Sequence, residues 1–463
     1  MLNFFRVNDP FRLFGIAIYL VVVSLVSALF FTFPTTSPTL LWMVLGERLS
    51  EGYLLYVDII DDTGPLSAGV FMAIHSVFGR SEWVYELLGI ILVGTQIYYW
   101  NSTLIKFRVF DENTYLPAII MAALFYFSFD LRQLSPTLLG STFLILALGQ
   151  LFSQTVLQKE SNESTLLIGI YGGLATGFHL HFLFFLPYLI FSGLVISGFS
   201  FRQLFLTLIG FALPIISILL FYYWNDGLEQ ALQVWPIFFS YPSYSYQPML
   251  SWLIPAIFPL LLAIVGYIFG GILRGSTINQ QKQRQLILLL LFFSSTLFFL
   301  FKNQASYQLV IFIPGLTYLI THLFLHLNWG IIAKPAFYGL TLGLPFLGMN
   351  YWNSRTSQDS TYFVLEDSPH IIPKRKSILV MGNDPSPYLN ISLGGPFLNY
   401  NMSKSYLNRE KKLEEKAQIY YMIQKQAPEL ILDEEGQFNI LLQELPILQK
   451  NYQETSPGLY EKK

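Results

Sequence analysis

The stretch GERLSEGYLLYVDIIDDTGPLSAGVFMAIHSVFG, residues 46–79, sets five carboxylates, Glu47, Glu51, Asp58, Asp61 and Asp62, directly ahead of an apolar run. That run, Ser67–Phe78, is about 12 residues long, where a membrane-crossing helix needs about 20. It is expected to be an interfacial or re-entrant helix. Asp58 and Asp61 stand three apart, so a helix there would put both on one face, with Asp62 joining at i+4. Like charges so close raise one another's pKa, and such clusters tend to persist where a cation or a proton transfer uses them. The plainer reading is a solvated acidic turn that caps a helix opening at Pro65, with Asp62 or Thr63 as N-cap.

What surrounds this segment is membrane protein. Of 463 residues, 53% are hydrophobic, 17% aromatic and only 12% charged, against about 25% charged in an ordinary soluble domain. A water-soluble globule and a disordered chain are both excluded. Residues 1–350 contain 29 charged side chains and residues 351–463 contain 27, a density that rises about threefold to the soluble value. The boundary near Tyr351 divides a transmembrane domain, 1–350, from a soluble domain, 351–463. A net charge of −2 offers no basic surface for nucleic acid. With no cysteine, disulfides, thiolate zinc sites and cysteine nucleophiles are ruled out. The run from about Leu13 to Phe33 is long enough to span and has no cleavage site after it, so it reads as a retained first helix.

Further spans begin near Trp83, Thr114, Leu134, Leu166, Phe182, Leu204, Trp252, Gln285, Gln308 and Pro335. The run from Thr165 to Gly198 is too long for one helix and is expected to break near Phe178–His181. The fold class is therefore an α-helical polytopic membrane protein of about eleven transmembrane helices. With Ser67–Phe78 on the surface, one side collects Arg6, Arg12, Lys106, Arg108, Lys159, Arg202, Arg274, Lys282, Arg284 and Lys334. The other side's short loops hold Arg48, Arg80, Arg132 and Lys302. That asymmetry places the N-terminus in the cytoplasm and the C-terminal domain outside. Two long exoplasmic loops follow, 34–82 and 225–251, the second an aromatic segment suited to the headgroup layer.

The tail reads as a small α/β domain. KSILVMG and PELILDEEG are strand-like, and the charged amphipathic stretch SYLNREKKLEEKAQIYYMIQKQ between them is helical. Gly382 and Asp384 follow the first strand, but without a GxGxxG or P-loop pattern they read as a structural turn. Asp130 ends the run YLPAIIMAALFYFSF at the exoplasmic boundary, with Arg132 available as an ion-pair partner or for an anionic headgroup. His179 and His181 are two apart, which on a helix would point them to opposite sides. His322 and His326 share a face at i+4 but lack a third ligand, and read as interfacial polar residues.

Together these features resemble the GT-C superfamily of polytopic glycosyltransferases, which draw sugars from polyprenyl-phosphate carriers, and in particular the bacterial aminoarabinose transferases and the protein O-mannosyltransferases. Their first exoplasmic loop carries a motif of the type Y-x-D-x-K-P-P-L followed by a short surface helix ending in F-G. Here YVDIIDDTGPL, 56–66, is followed by SAGVFMAIHSVFG, with Thr63–Gly64 in place of the basic residue and first proline. Asp61 matches the motif's aspartate, and Asp130 matches a second acidic residue at the end of the third span. The resemblance implies an inverting transferase at the exoplasmic face of a bacterial inner membrane, with polyprenyl-phosphate-linked sugar as donor. It makes Asp61 the candidate base, with Asp58 or Asp62 as alternates. Asp130 would orient Asp61, the acceptor or a divalent ion, and Arg132 or Lys302 would stabilise the lipid-phosphate leaving group. No cofactor other than such a divalent metal is suggested. The competing readings are a non-catalytic membrane component of an envelope or secretion assembly, and a transporter. A transporter is disfavoured because the acids gather at one membrane face and no inverted repeat is visible.

Overall fold

A computed structural model describes residues 1–157, 162–272, 277–327, 330–356, 361–364, 377–408 and 413–463. Lys159, Arg274 and residues 409–412 of the tail helix lie outside them. The chain divides into two compact units. One comprises Met1–Phe33, Tyr85–Ser217 and Gln247–Gln358; the other comprises Pro34–Val84, Ile218–Tyr246 and Asp359–Lys463.

The first unit is helical. Among the described residues, seven helices are long and apolar enough to cross a membrane: Phe11–Phe30, Pro136–Thr155, Leu180–Ser197, Phe201–Trp224, Met249–Gly270, Ile278–Leu300 and Ser306–His326. The chain is an integral membrane protein. Length and composition alone do not reach the expected eleven spans. The run from Thr114 forms only the nine-residue helix Leu116–Leu124, wholly buried; the chain then turns extended at Ser128 and enters a 3-10 turn, Phe129–Arg132. Burial separates roles among the long helices. Phe11–Phe30 is 22% buried along its apolar window, whereas Ser306–His326 is 83% buried. The first offers its side chains to lipid, and the second is enclosed by protein.

The break expected in the 165–198 run falls where the sequence placed it. One helix ends at Phe178, and His179 is extended at φ −147° and ψ 113° before a 3-10 turn begins at Leu180. Because His179 is not helical, the two-residue spacing does not part the histidines. Their rings lie 5.1 Å apart, and Phe301 packs edge-on to both.

Hydrophobicity cannot drive helices together in lipid, so close backbone approach through small residues does much of the work. Helices Asn162–Phe178 and Phe201–Trp224 cross in this way. A Cβ on Gly169 would lie 2.1 Å from the Thr207 carbonyl oxygen, and one on Gly210 would lie 2.4 Å from that of Leu166.

The second unit carries the only sheet of more than two strands among the described residues. Its strands are β1 (Ile378–Met381), β2 (Leu430–Asp433), β3 (Tyr452–Ser456) and β4 (Leu459–Lys462), in the order β1-β2-β4-β3. β1 and β2 are the expected strands and pair in parallel, Ile378 opposite Leu430. All their residues are buried, as strands covered on both faces require. The β3–β4 hairpin was not anticipated, although SPG at 456–458 is a turn signal and Gly458 takes φ +75°. Asp433 ends β2 and caps the following helix, accepting from the amides of Gln437 and Phe438 at 2.8 and 2.9 Å.

In the same unit, Ser67–Phe78 forms the helix Pro65–Phe78, 14 residues long, roughly 21 Å at 1.5 Å per residue. It packs against the Ser37–Ser50 helix, with Trp42 stacked on Phe71 at 5.8 Å. Its N-cap is Gly64, with no side-chain cap, so neither Asp62 nor Thr63 caps it.

Gly169→Leu is expected to force the helix pair apart at a site with no room, destabilising the protein by about 1–3 kcal/mol or more. The check is the monodisperse fraction in detergent after mild heating, which should fall well below wild type.

Candidate functional site

The acidic loop, residues 54–63, is neither helix nor solvated turn. Asp58 is 5% exposed and Asp61 3% exposed, so their positions are fixed by partners and not by water. Buried irregular backbone needs a partner for each polar group. Ile60 N donates to the Pro396 carbonyl at 2.7 Å, and the Ile60 carbonyl accepts from the amides of Leu398 and Asn399 at 3.3 and 3.2 Å. Tyr56 N closes a turn onto the Ile59 carbonyl at 2.7 Å, and the Tyr56 hydroxyl donates to the Thr63 carbonyl at 2.7 Å. Tyr56 has φ +67°, a left-handed conformation that a bulky residue adopts only when its surroundings compel it. Here the constraint is full burial and stacking on Tyr222 at 5.9 Å.

The acids do not line up on one helical face. Asp58 turns toward the end of helix Leu413–Gln426. Its Oδ1 meets Lys425 Nζ at 2.6 Å, its Oδ2 accepts from Leu54 N at 3.0 Å, and its carbonyl accepts from Gln426 Nε2 at 2.5 Å. Gln426 in turn accepts from Arg48 at 3.0 Å. Asp58 is thus a neutralised structural anchor. Lys425 and Gln426 were invisible to sequence reasoning, because no local pattern links them to a loop 367 and 368 residues away.

Among the described residues Asp61 has no such counter-ion. It accepts from Thr63 N at 2.9 Å, while Asp62 beside it accepts from the Tyr241 hydroxyl at 3.1 Å. Burial, and after it the neighbouring Asp62 charge, push the Asp61 carboxyl up to about 7, against the pull of the Thr63 bonds. The loop therefore brings Asp61 and Asp62 together and sends Asp58 elsewhere. A carboxyl held near neutrality can accept and release a proton at working pH.

The other candidates belong to the helical unit. Asp130 is 1% exposed; Ser128 Oγ donates to its Oδ1 at 2.5 Å, and Ser306 Oγ donates to its Oδ2. Arg132, on the same 3-10 turn, is 4% exposed. Its Nη2 donates to Ser27 Oγ at 2.6 Å and stands 3.4 Å from Glu86, and its guanidinium lies 4.9 Å from the Tyr126 ring centre. Nε and Nη1 have no acceptor among the described residues, which leaves buried donors suited to an anion. Gly89 lets the Glu82–Lys106 helix pass this turn, since a Cβ there would sit 2.0 Å from the Arg132 carbonyl oxygen. Lys302 is half-buried just beyond helix Ile278–Leu300. His326 lies 3.7 Å from Asp111, and His322 packs on Phe110 and Tyr318. No group of three or more His, Asp or Glu side chains among the described residues is placed to hold a metal ion.

No family model matches the sequence, and no curated protein matches it. Solved structures do. ArnT from Cupriavidus metallidurans, bound to undecaprenyl phosphate, superposes with a TM-score of 0.55 over 97% of this chain and 97% of its own, at 10% sequence identity. The fold is that of ArnT. The resemblance read from the acidic loop and from Asp130 thus extends, at the level of fold, along nearly the whole chain.

Two outcomes follow from the loop. Between the ordinary carboxylate range and pH 7 the folded chain keeps a proton on Asp61 that the unfolded chain has released. Stability contributed by this group therefore falls as pH rises through that window. Relative to wild type, the thermal midpoint of Asp61→Asn in detergent should be more favourable at pH 8 than at pH 5; a difference independent of pH would contradict the assignment. Lys425→Met should lower the midpoint by the equivalent of about 1 kcal/mol, modest because the ammonium is partly exposed. Asp58→Asn should remove most of the additional effect of Lys425→Met in the double variant.

Proposed function

We propose that this protein transfers a sugar from a polyprenyl-phosphate carrier to an acceptor hydroxyl at the exoplasmic face of a bacterial inner membrane. The observation that carries the reading is Asp61: a buried carboxyl, raised toward neutrality, in the loop that matches the GT-C motif. The whole-chain likeness to ArnT, itself bound to undecaprenyl phosphate, supports the choice of donor. In the topology that goes with this reading, eleven spans separate a cytoplasmic N-terminus from an exoplasmic α/β domain at 351–463.

The acceptor oxygen attacks the anomeric carbon, the bond from that carbon to the carrier phosphate breaks, and the acceptor's proton passes to Asp61. Polyprenyl phosphate leaves with the bonding electrons. General-base assistance of this kind is worth about 10²–10⁴-fold. Asp62 tunes the base through its charge, and the motif match gives Asp130 the role of orienting the acceptor or a divalent ion. Arg132, with two unfilled donors, and Lys302 are assigned to the leaving phosphate, whose growing charge a fixed cation stabilises.

The test is transfer in membranes carrying wild type, Asp61→Asn or Asp130→Asn, following both polyprenyl-linked sugars and glycosylated envelope products. Both substitutions should lower the product by at least about 10²-fold and let charged carrier accumulate. The wild-type rate should rise through an inflection near pH 7, and Asp62→Asn should move that inflection downward. Wild-type products from both inserted variants would overturn the reading and favour a non-catalytic membrane component of an envelope assembly.

A further inference from the structure

A cleft in the unit that holds the acidic loop takes no part in the chemistry above. It opens past the C-terminal end of β1 at Gly382–Asp384 and is walled by Asn399 and Asn401 at the start of helix Tyr400–Asn408 and by Tyr244 of the 225–251 loop. None of the described residues lining it is Lys, Arg or His, so it lacks the cation that a phosphate or nucleotide would demand.

Its polar groups are partly committed, and what remains defines a ligand. Asp384 spends both carboxylate oxygens on Ser386, accepting from its amide and hydroxyl at 2.9 and 2.8 Å. Asn399 Oδ1 caps the helix through Met402 N at 3.1 Å, and Asn401 Nδ2 donates to Asn383 Oδ1 at 3.1 Å. The donors Asn383 Nδ2 and Asn399 Nδ2 and the acceptor Asn401 Oδ1 have no partner among the described residues. Asn399 is 4% exposed, and it lines the cleft. The rings of Tyr244 and Tyr246 meet edge to face at 5.2 Å on the same wall. Neutral amide donors and acceptors beside a tyrosine face match the hydroxyls and the C–H face of a pyranose ring.

The cleft also shares a wall with the acidic loop. The amides of Leu398 and Asn399 are the ones that bond the Ile60 carbonyl, one residue before Asp61. We propose that the cleft past β1 is a saccharide subsite that holds a neutral pyranose unit of a glycan acceptor. The acceptor role rests on the transferase reading; the binding of a neutral sugar does not.

The experiment is saturation-transfer NMR on the full chain in detergent with the methyl glycosides of glucose, galactose, mannose and N-acetylglucosamine, inorganic phosphate serving as competitor. At least one glycoside should receive saturation at its ring protons. Tyr244→Ala and Asn383→Ala should weaken that binding tenfold or more, while Asp61→Asn and added phosphate leave it within twofold. No binding of any of the four glycosides to wild type would overturn the proposal, as would undiminished binding in Tyr244→Ala, whose half-exposed ring makes it the variant least prone to misfolding. Glycoside binding in the cleft combined with wild-type envelope products in membranes carrying either Asp61→Asn or Asp130→Asn would sink the transferase reading alone.

Discussion

Irregular backbone out of contact with water must find a hydrogen-bond partner for each amide and carbonyl, and in residues 54–63 that requirement organises the second unit. The partners come from far along the chain: Pro396, Leu398 and Asn399 for Ile60, and Gln426 for Asp58. The sheet supplies the framework for these contacts. β1 and β2 anchor the stretches that lead to 396–399 and away from 425–426, so the α/β segment acts as a jig for a loop that could not hold its shape alone. The left-handed Tyr56 fits the same account, since a strained residue persists where its surroundings over-determine it.

Asp58 and Asp61, three positions apart, end in different states because their surroundings differ. Asp58 is buried but has an ammonium at 2.6 Å and two backbone contacts, so its charge is answered. Asp61 is equally buried and faces another carboxylate, so its charge is resisted. Asp130, in the other unit, has a serine hydroxyl on each oxygen. For Asp61, desolvation and the nearest charge, not side-chain identity, set the protonation.

Much of this was legible in the sequence where the signal is local. The short apolar helix, the break at His179 and the two buried strands all follow from length, periodicity and composition. What could not be read was set by distant pairing. Lys425 looks like any charge on an amphipathic helix, and Tyr241 like any aromatic in a headgroup-facing loop, yet one neutralises Asp58 and the other bonds Asp62. In the run at 114–128 the regular helix is shorter than the apolar stretch. Its apolarity reflects burial among neighbours, and a buried segment can stop after nine residues because protein, not lipid, surrounds its ends. The opposed histidines expected at 179 and 181 failed through an assumption of helix where the backbone is extended.

The long separation between the acidic loop and its partners has a consequence for biosynthesis. The loop leaves the ribosome early, whereas Lys425 and Gln426 emerge 367 and 368 residues after the aspartate they hold. At about 5–20 residues per second, the nascent chain waits roughly 20–70 s with its loop unclamped while the intervening helices are threaded into the bilayer. The carboxylates are therefore set in their final arrangement only after residues 425 and 426 have emerged, and a nascent chain that stalls before them carries the acids without the geometry that distinguishes one from another.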